Sequence, residues 1–225
     1  MLADEIIDRS DAPGLILRKL SPHVLSELIQ AILTDVRELS RICARSFLHS
    51  TGIFKLVLSE STYSSSEVRL HVWKSGCVFP SGSNYESVHN HRWHFCSRIL
   101  QGTFCKELFV VSNAGPGSFS HYRFEATAPG QLNTVTERGS CDLQTSFRVH
   151  LFPGQTYEMA PSAYHLIKPV DENFSATLFV RGPYETNGTD VFLPAEMSLH
   201  EASSKSIEPI EPNQVKNLLQ VIQRD

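Results

Sequence analysis

The sequence predicts a mainly-β fold, an antiparallel sandwich or barrel with helices only at its ends. Three observations carry this expectation. Between residues 53 and 181, short apolar or alternating runs follow one another, separated by turns rich in Gly, Pro, Asn and Ser. That is the mark of many short antiparallel strands. Helical periodicity shows only near the two ends, at residues 21–44 and 212–223. The chain has 225 residues, 41% hydrophobic and 20% charged, which suits one domain with a full core. The expected organisation is a helical extension packed on the barrel over residues 1–50, the barrel over 51–185, and an irregular tail with a short helix over 186–225.

Taken in order, residues 1–14 are polar and end in Ala12, Pro13 and Gly14, a loose lead-in. Ser21 is a fitting N-cap and Pro22 a fitting first helical residue. Leu25, Leu28, Ile29 and Ile32 then recur at helical spacing, so a helix is predicted to about residue 44, with a break near Glu38. Residues 53–58 form an apolar run of strand length. Residues 68–73 alternate strictly, with Leu70 and Val72 on one face and Arg69, His71 and Trp73 on the other. A loop over 74–84 leads to a strand pair around residues 88–102. Further strands are expected at 103–111, 119–126, 131–137, 143–152, 156–159, 163–168 and 174–181, with turns at 113–117, 128–130 and 138–140 between them. Val215, Leu218, Leu219 and Ile222 share one face of the terminal helix.

Composition narrows the function classes. The formal net charge is -4 and no long basic run occurs, so nucleic acid is not an expected partner. No apolar run reaches membrane-spanning length. The acidic N-terminus lacks the charged-then-apolar pattern of a secretion signal, and cytoplasmic residence is expected. The five cysteines are odd in number and none sits in a Cys-x-x-Cys pair, which argues against a disulfide framework or a structural zinc knuckle.

Chemistry concentrates in one stretch. His89, His91, His94 and Cys96 fall within eight residues, ahead of Ile99, Leu100 and Gly102. On a strand, His89 and His91 would point to the same face, where one divalent metal could take both imidazoles. Strand alternation sends His94 the opposite way. Far along the chain, Gly154, Pro161 and His165 form a second constellation.

These two motifs, in this order, resemble those of the cupin superfamily, over roughly residues 53–181. The resemblance implies a double-stranded β-helix, a small jelly roll, with His89, His91 and His165 as metal ligands. The family's acidic ligand position falls at Phe95 or Cys96, so the carboxylate is missing. A three-histidine set of this kind is similar to that of the thiol dioxygenases, cysteine dioxygenase in particular. That group carries a cysteine at the acidic position, then Leu-Gln-Gly and Lys-Glu. Here Cys96, Leu100-Gln101-Gly102 and Lys106-Glu107 answer to these, with one residue fewer between the cysteine and the Leu-Gln-Gly. The resemblance implies a cross-linked tyrosine, for which Tyr184, Tyr157 and Tyr164 compete.

The expected cofactor is Fe(II), with Zn, Mn and Ni also compatible with imidazole ligands. Cys96, Arg98 and Tyr184 are the expected catalytic residues, Arg98 because it shares strand parity with Cys96. Arg69, His71 and Trp73 are the expected substrate-binding face, and Lys55 is a rough match for the family's carboxylate-binding arginine. Three functions fit: a mononuclear non-haem iron oxygenase taking a small, thiol or anionic substrate and dioxygen; a metal-dependent isomerase, epimerase or lyase with Glu158 or His94 as base; and a binding module without catalysis. A homodimer through the sheet edges or the N-terminal helix fits all three.

Overall fold

A computed structural model describes residues 12–49, 52–61, 66–74, 87–112, 115–125, 134–170, 173–197, 199 and 208–224. Three helices open the chain: α1 (Pro13–Lys19), α2 (Pro22–Thr34) and α3 (Val36–Arg45). Ser21 caps α2, its hydroxyl accepting from the Val24 N–H at 3.3 Å. The predicted break falls at Asp35 rather than near Glu38. The Asp35 carboxylate accepts from the N–H groups of Arg37 (2.8 Å) and Glu38 (3.3 Å), so one residue ends α2 and starts α3. Helix α1 begins at Pro13, in the last two residues of the stretch read as a loose lead-in, with the proline at its first position.

The strands are β1 (Phe47–Leu48), β2 (Phe54–Glu60), β3 (Glu67–Trp73), β4 (Val88–His89), β5 (Phe95–Gln101), β6 (Phe104–Ser112) and β7 (Phe119–Glu125). They continue with β8 (Thr134–Leu151), β9 (Thr156–Met159), β10 (Tyr164–Pro169), β11 (Ser175–Arg181), β12 (Gly188–Pro194) and β13 (Glu208–Pro209), and helix α4 (Pro212–Arg224) ends the chain. One sheet runs β13-β1-β2-β3-β11-β5-β9; the other, β10-β4-β12-β7-β8-β6, closes on itself because β10 pairs with both β4 and β6. All pairings are antiparallel. Strands β3 to β6 alternate between the sheets, and β8 to β11 return between them. The orders β3-β11-β5-β9 and β4-β10-β6-β8 that result are the interleaving of a jelly roll. The fold is mainly β, a double-stranded β-helix with helices at both ends.

Two departures from the predicted elements have physical causes. The turn expected at 138–140 does not break the chain, and β8 runs through it as one strand. Gly139 stands at φ 99°, and the β7–β8 register shifts between His121 and Tyr122, so the glycine serves a bulge rather than a turn. Strand β12 lies in the stretch read as irregular tail. It pairs with β4 and β7 and buries Phe192 completely, which carries the closed ring to Pro194. The turns expected at 128–130 and the loop over 75–84 lie outside the described residues.

The seven-stranded sheet has two apolar faces. Leu56, Leu70, Val72, Leu178 and Val180 face α1, α2 and α4, where Ile16, Leu20, Ile29, Val215 and Leu219 are also fully or almost fully buried. Each such aliphatic side chain contributes about 1.5–3 kcal/mol on burial, which is why the helices dock rather than dangle. On the other face, Trp73, Phe95, Ile99, Phe104 and Phe179 fill the space between the sheets. Among the described residues no helix is long and apolar enough to cross a membrane.

Candidate metal centre

The jelly roll brings His89, His91 and His165 together. His89 ends β4 and stands opposite His165 of β10 in register. The ring centroids lie 4.8 Å apart for His89–His91 and His89–His165, and 5.0 Å apart for His91–His165. One ring nitrogen of each lies within 4.8 Å of the others. His91 reaches the cluster from the turn beyond β4, not from a continued strand, because β4 ends at His89.

The tautomers follow from the backbone. His89 Nδ1 donates to the Ser87 carbonyl at 2.7 Å, and His165 Nδ1 donates to the Ala163 carbonyl at 2.9 Å. A carbonyl oxygen only accepts, so each Nδ1 carries the proton and each Nε2 keeps its lone pair. His165 is 2% exposed, and burial pushes its pKa down to about 3. Burial likewise lowers His89 and His91, and at His91 the neighbouring His89 and His165 add to the effect. Three neutral imidazoles, two with oriented lone pairs, fit a divalent transition metal.

The surroundings hold the ligands in place. The His91 ring stacks on Trp93 at 5.2 Å and meets the edge of Phe95 at 5.1 Å, and Phe95 also lies 5.7 Å from His165. Asn90, between two ligands, is buried. Its side-chain oxygen accepts from the Asp190 N–H at 2.6 Å, and its amide faces the Asp190 carboxylate at 3.3 Å. Asp190 also accepts from His121 Nε2 at 2.9 Å and from Arg123 at 2.7 Å. The ligand-bearing turn is therefore tied to β12 and β7 by a polar network.

Arg69, His71 and Trp73 do share the inner face of β3, as the alternation predicted. His71 stacks on Phe179 at 4.6 Å, and Phe179 lies 4.7 Å from Phe95, which touches two ligands. Burial takes His71 well below the ordinary imidazole value, so it is neutral. Lys55 stands opposite His71 in the β2–β3 register, and its charge contributes to the depressed pKa values of His71, His89 and His91.

Cys96 and Arg98 take the other face. Cys96 packs in the helix-side core with its Sγ 3.7 Å from Glu158 Oε1, and burial pushes its thiol up to about 11. Arg98 donates to the carbonyls of Leu20 (2.6 Å) and Leu17 (2.9 Å), closing the end of α1 instead of reaching the interior. Of Phe95 and Cys96, the one that faces the histidines is Phe95. Tyr184 is 50% exposed and packs its ring against Arg92, Arg181 and Trp93, so it is not brought to Cys96. His94 and Glu158 lie beside each other, 3.8 Å apart, on the Cys96 side.

Two interior residues escaped the reading of the sequence. Each carboxylate oxygen of Glu67 accepts from a different arginine, Arg69 and Arg181. The Arg181 guanidinium lies 5.1 Å from the Trp93 ring and 4.9 Å from the Tyr184 ring. Burial raises the Glu67 carboxyl pKa, and the two arginines outweigh it, leaving the group below its usual value. The available signal was parity: Glu67 shares the inner face of β3 with Arg69, and Arg181 that of β11 with Phe179.

No family model and no curated protein sequence matches the chain. Among solved structures, it is similar to the Cnp3 cupin domain of Schizosaccharomyces pombe, at 7% identity and a TM-score of 0.32, covering 58% of this chain and 61% of that one. It is similar to a protein of Shewanella oneidensis at 11% identity and a TM-score of 0.34, covering 83% and 96%. It is also similar to a cupin-2 domain of Rhodospirillum rubrum at 13% identity and a TM-score of 0.28, covering 68% and 76%. These overlaps are loose, and the jelly-roll assignment rests on the strand order itself.

Proposed function

We propose that the protein is a metal-dependent cupin enzyme, a mononuclear non-haem iron oxygenase acting on a small anionic substrate. The observation that carries this reading is the convergence of three neutral imidazoles, His165 buried and His89 and His91 half-buried, from β10, β4 and the following turn. His89, His91 and His165 would hold an iron(II), which would supply redox chemistry toward dioxygen. The chain's own part is to hold Nε2 of His89 and His165 aimed and unprotonated, through the Ser87 and Ala163 carbonyls. Trp93 covers a face of the His91 ring, and Phe95, backed by Phe179, packs beside His91 and His165.

The Lewis-acid isomerase or lyase reading calls for a general base beside the substrate. Both bases considered, Glu158 and His94, pair with each other on the Cys96 side of the sheet, which favours the oxygenase. A thiol substrate stays within the reading, but Cys96 is not the residue that would tune it. The test combines metal analysis of the purified protein with oxygen consumption on small thiol and hydroxy carboxylates. Iron at one per chain and substrate-dependent oxygen uptake are expected, and both should be lost in His165→Ala. Turnover under strict anaerobiosis, or a zinc-loaded protein with no oxygen uptake, would overturn it.

A further inference from the structure

We infer that the interior beside the histidine centre contains an anion subsite built on Arg181, and that it takes the carboxylate of a small monoanionic molecule. Arg181 is 3% exposed, and only its Nη2 is engaged, by Glu67. Its Nε and Nη1 are buried and find no acceptor among the described residues, nor does Trp93 Nε1 beneath it. Buried donors without acceptors carry a full desolvation penalty, and a guanidinium carries it with a charge. Burying a structural ion pair does not account for this, because among the described residues Glu67 is the one carboxylate that faces both Arg69 and Arg181. One positive charge is left over in this group. A single carboxylate supplies the acceptor oxygens and the missing charge together.

The position suits a substrate. The Arg181 guanidinium lies 5.1 Å from the centre of the Trp93 ring, and the same ring stacks on His91 at 5.2 Å. A molecule anchored at Arg181 by its carboxylate could present its other end to the metal ligands. The role of the subsite rests on the metal-centre reading; its existence does not.

The protein carries its own reporter, since its two tryptophans, Trp73 and Trp93, both line this interior. The experiment follows tryptophan fluorescence while the full-length protein, chelated or metal-loaded, is titrated with sodium propionate at constant ionic strength. Sodium chloride sets the baseline, and inorganic phosphate is the competing oxyanion. A saturable response to propionate is expected in both forms. Arg181→Gln should weaken it at least tenfold while metal content stays at the wild-type level, and His165→Ala should lose metal but keep the response. Arg92→Gln, which removes the neighbouring cation stacked on Tyr184, should leave it unchanged. No saturable response in wild type would overturn the subsite, as would an equal loss in Arg92→Gln, which needs no folded Arg181 variant. Tighter binding of phosphate than of propionate would overturn the carboxylate assignment. In the wild-type protein, metal bound without a propionate response strikes the subsite alone, and a propionate response without bound metal strikes the metal centre alone.

Discussion

At the scale of single residues, the site divides into ligands that were legible and supports that were not. His89, His91 and His165 could be read because imidazoles at a two-residue spacing, with a third in a Gly-Pro-His context, have few other uses. Cys96 was placed at the site by the resemblance alone, and Arg98 only by its parity with Cys96; both lie on the helix side of the sheet. Alternation counted from His89 and His91 gives Phe95 and Ile99 the inner face and His94, Cys96 and Arg98 the outer one, as found, even though the chain turns between β4 and β5. Asp190 was invisible for another reason, being 100 positions from the Asn90 it holds. Its carboxylate gathers His121, Arg123 and the Asn90 amide, fixing the turn that carries two ligands. Asp190→Asn keeps the volume but cannot accept from all three. Metal affinity should fall about 10- to 100-fold, the range found when outer supports of ligands are removed. Competition against a chromophoric chelator measures it, and an affinity equal to wild type would show that the network only stabilises the fold.

At the scale of elements, the strands from 53 to 181 were legible because each buries one or both faces and so alternates or runs apolar. What failed were places where a glycine has two uses. Gly139 looks like a turn and serves a bulge at φ 99°, while Gly102 does make the β5–β6 turn at φ 82°. The two should respond differently to alanine. A Cβ at Gly139 meets nothing within 4 Å, so only the left-handed backbone is penalised, by about 1 kcal/mol. A Cβ at Gly102 would stand 2.2 Å from Ser175 Oγ and 3.2 Å from Ser175 Cα, at the fully buried start of β11. The side-chain overlap adds to the same backbone penalty, and about 3 kcal/mol is expected. Urea denaturation of the two variants tests the order. A Gly139→Ala loss as large as that of Gly102→Ala would mean that the bulge, not the Ser175 contact, is the tighter constraint. Strand β12 was missed because Val191, Phe192 and Leu193 form too short a run between Gly188 and Pro194 to outweigh the punctuation.

At the scale of the whole molecule, the interior holds five histidines whose pKa values burial has lowered: His49, His71, His89, His91 and His165. His49 and His165 are brought to about 3, against an ordinary 6.5. Above about pH 6.5 neither the folded nor the unfolded chain protonates them, and they contribute nothing to pH dependence. Below it the unfolded chain takes up protons that the folded chain refuses, so stability is lost as pH falls toward about 3. Glu67 acts in a lower window, because its lowered carboxyl pKa contributes stability above its ordinary 4.5 that disappears as pH falls through the folded value. The metal-free protein should therefore lose stability on mild acidification, before any carboxylate titrates. Each histidine adds at most one proton to the difference, a slope of about 1.4 kcal/mol per pH unit. His71 provides the test because it lies outside the ligand set. His71→Gln should flatten the dependence of stability on pH between 6 and 5 by up to about that amount, relative to wild type measured by urea denaturation after chelation. Bound metal should steepen the loss, since the same imidazoles must be deprotonated to hold it. A metal-free protein equally stable at pH 7 and pH 5 would show that these histidines are reached by protons in the folded state.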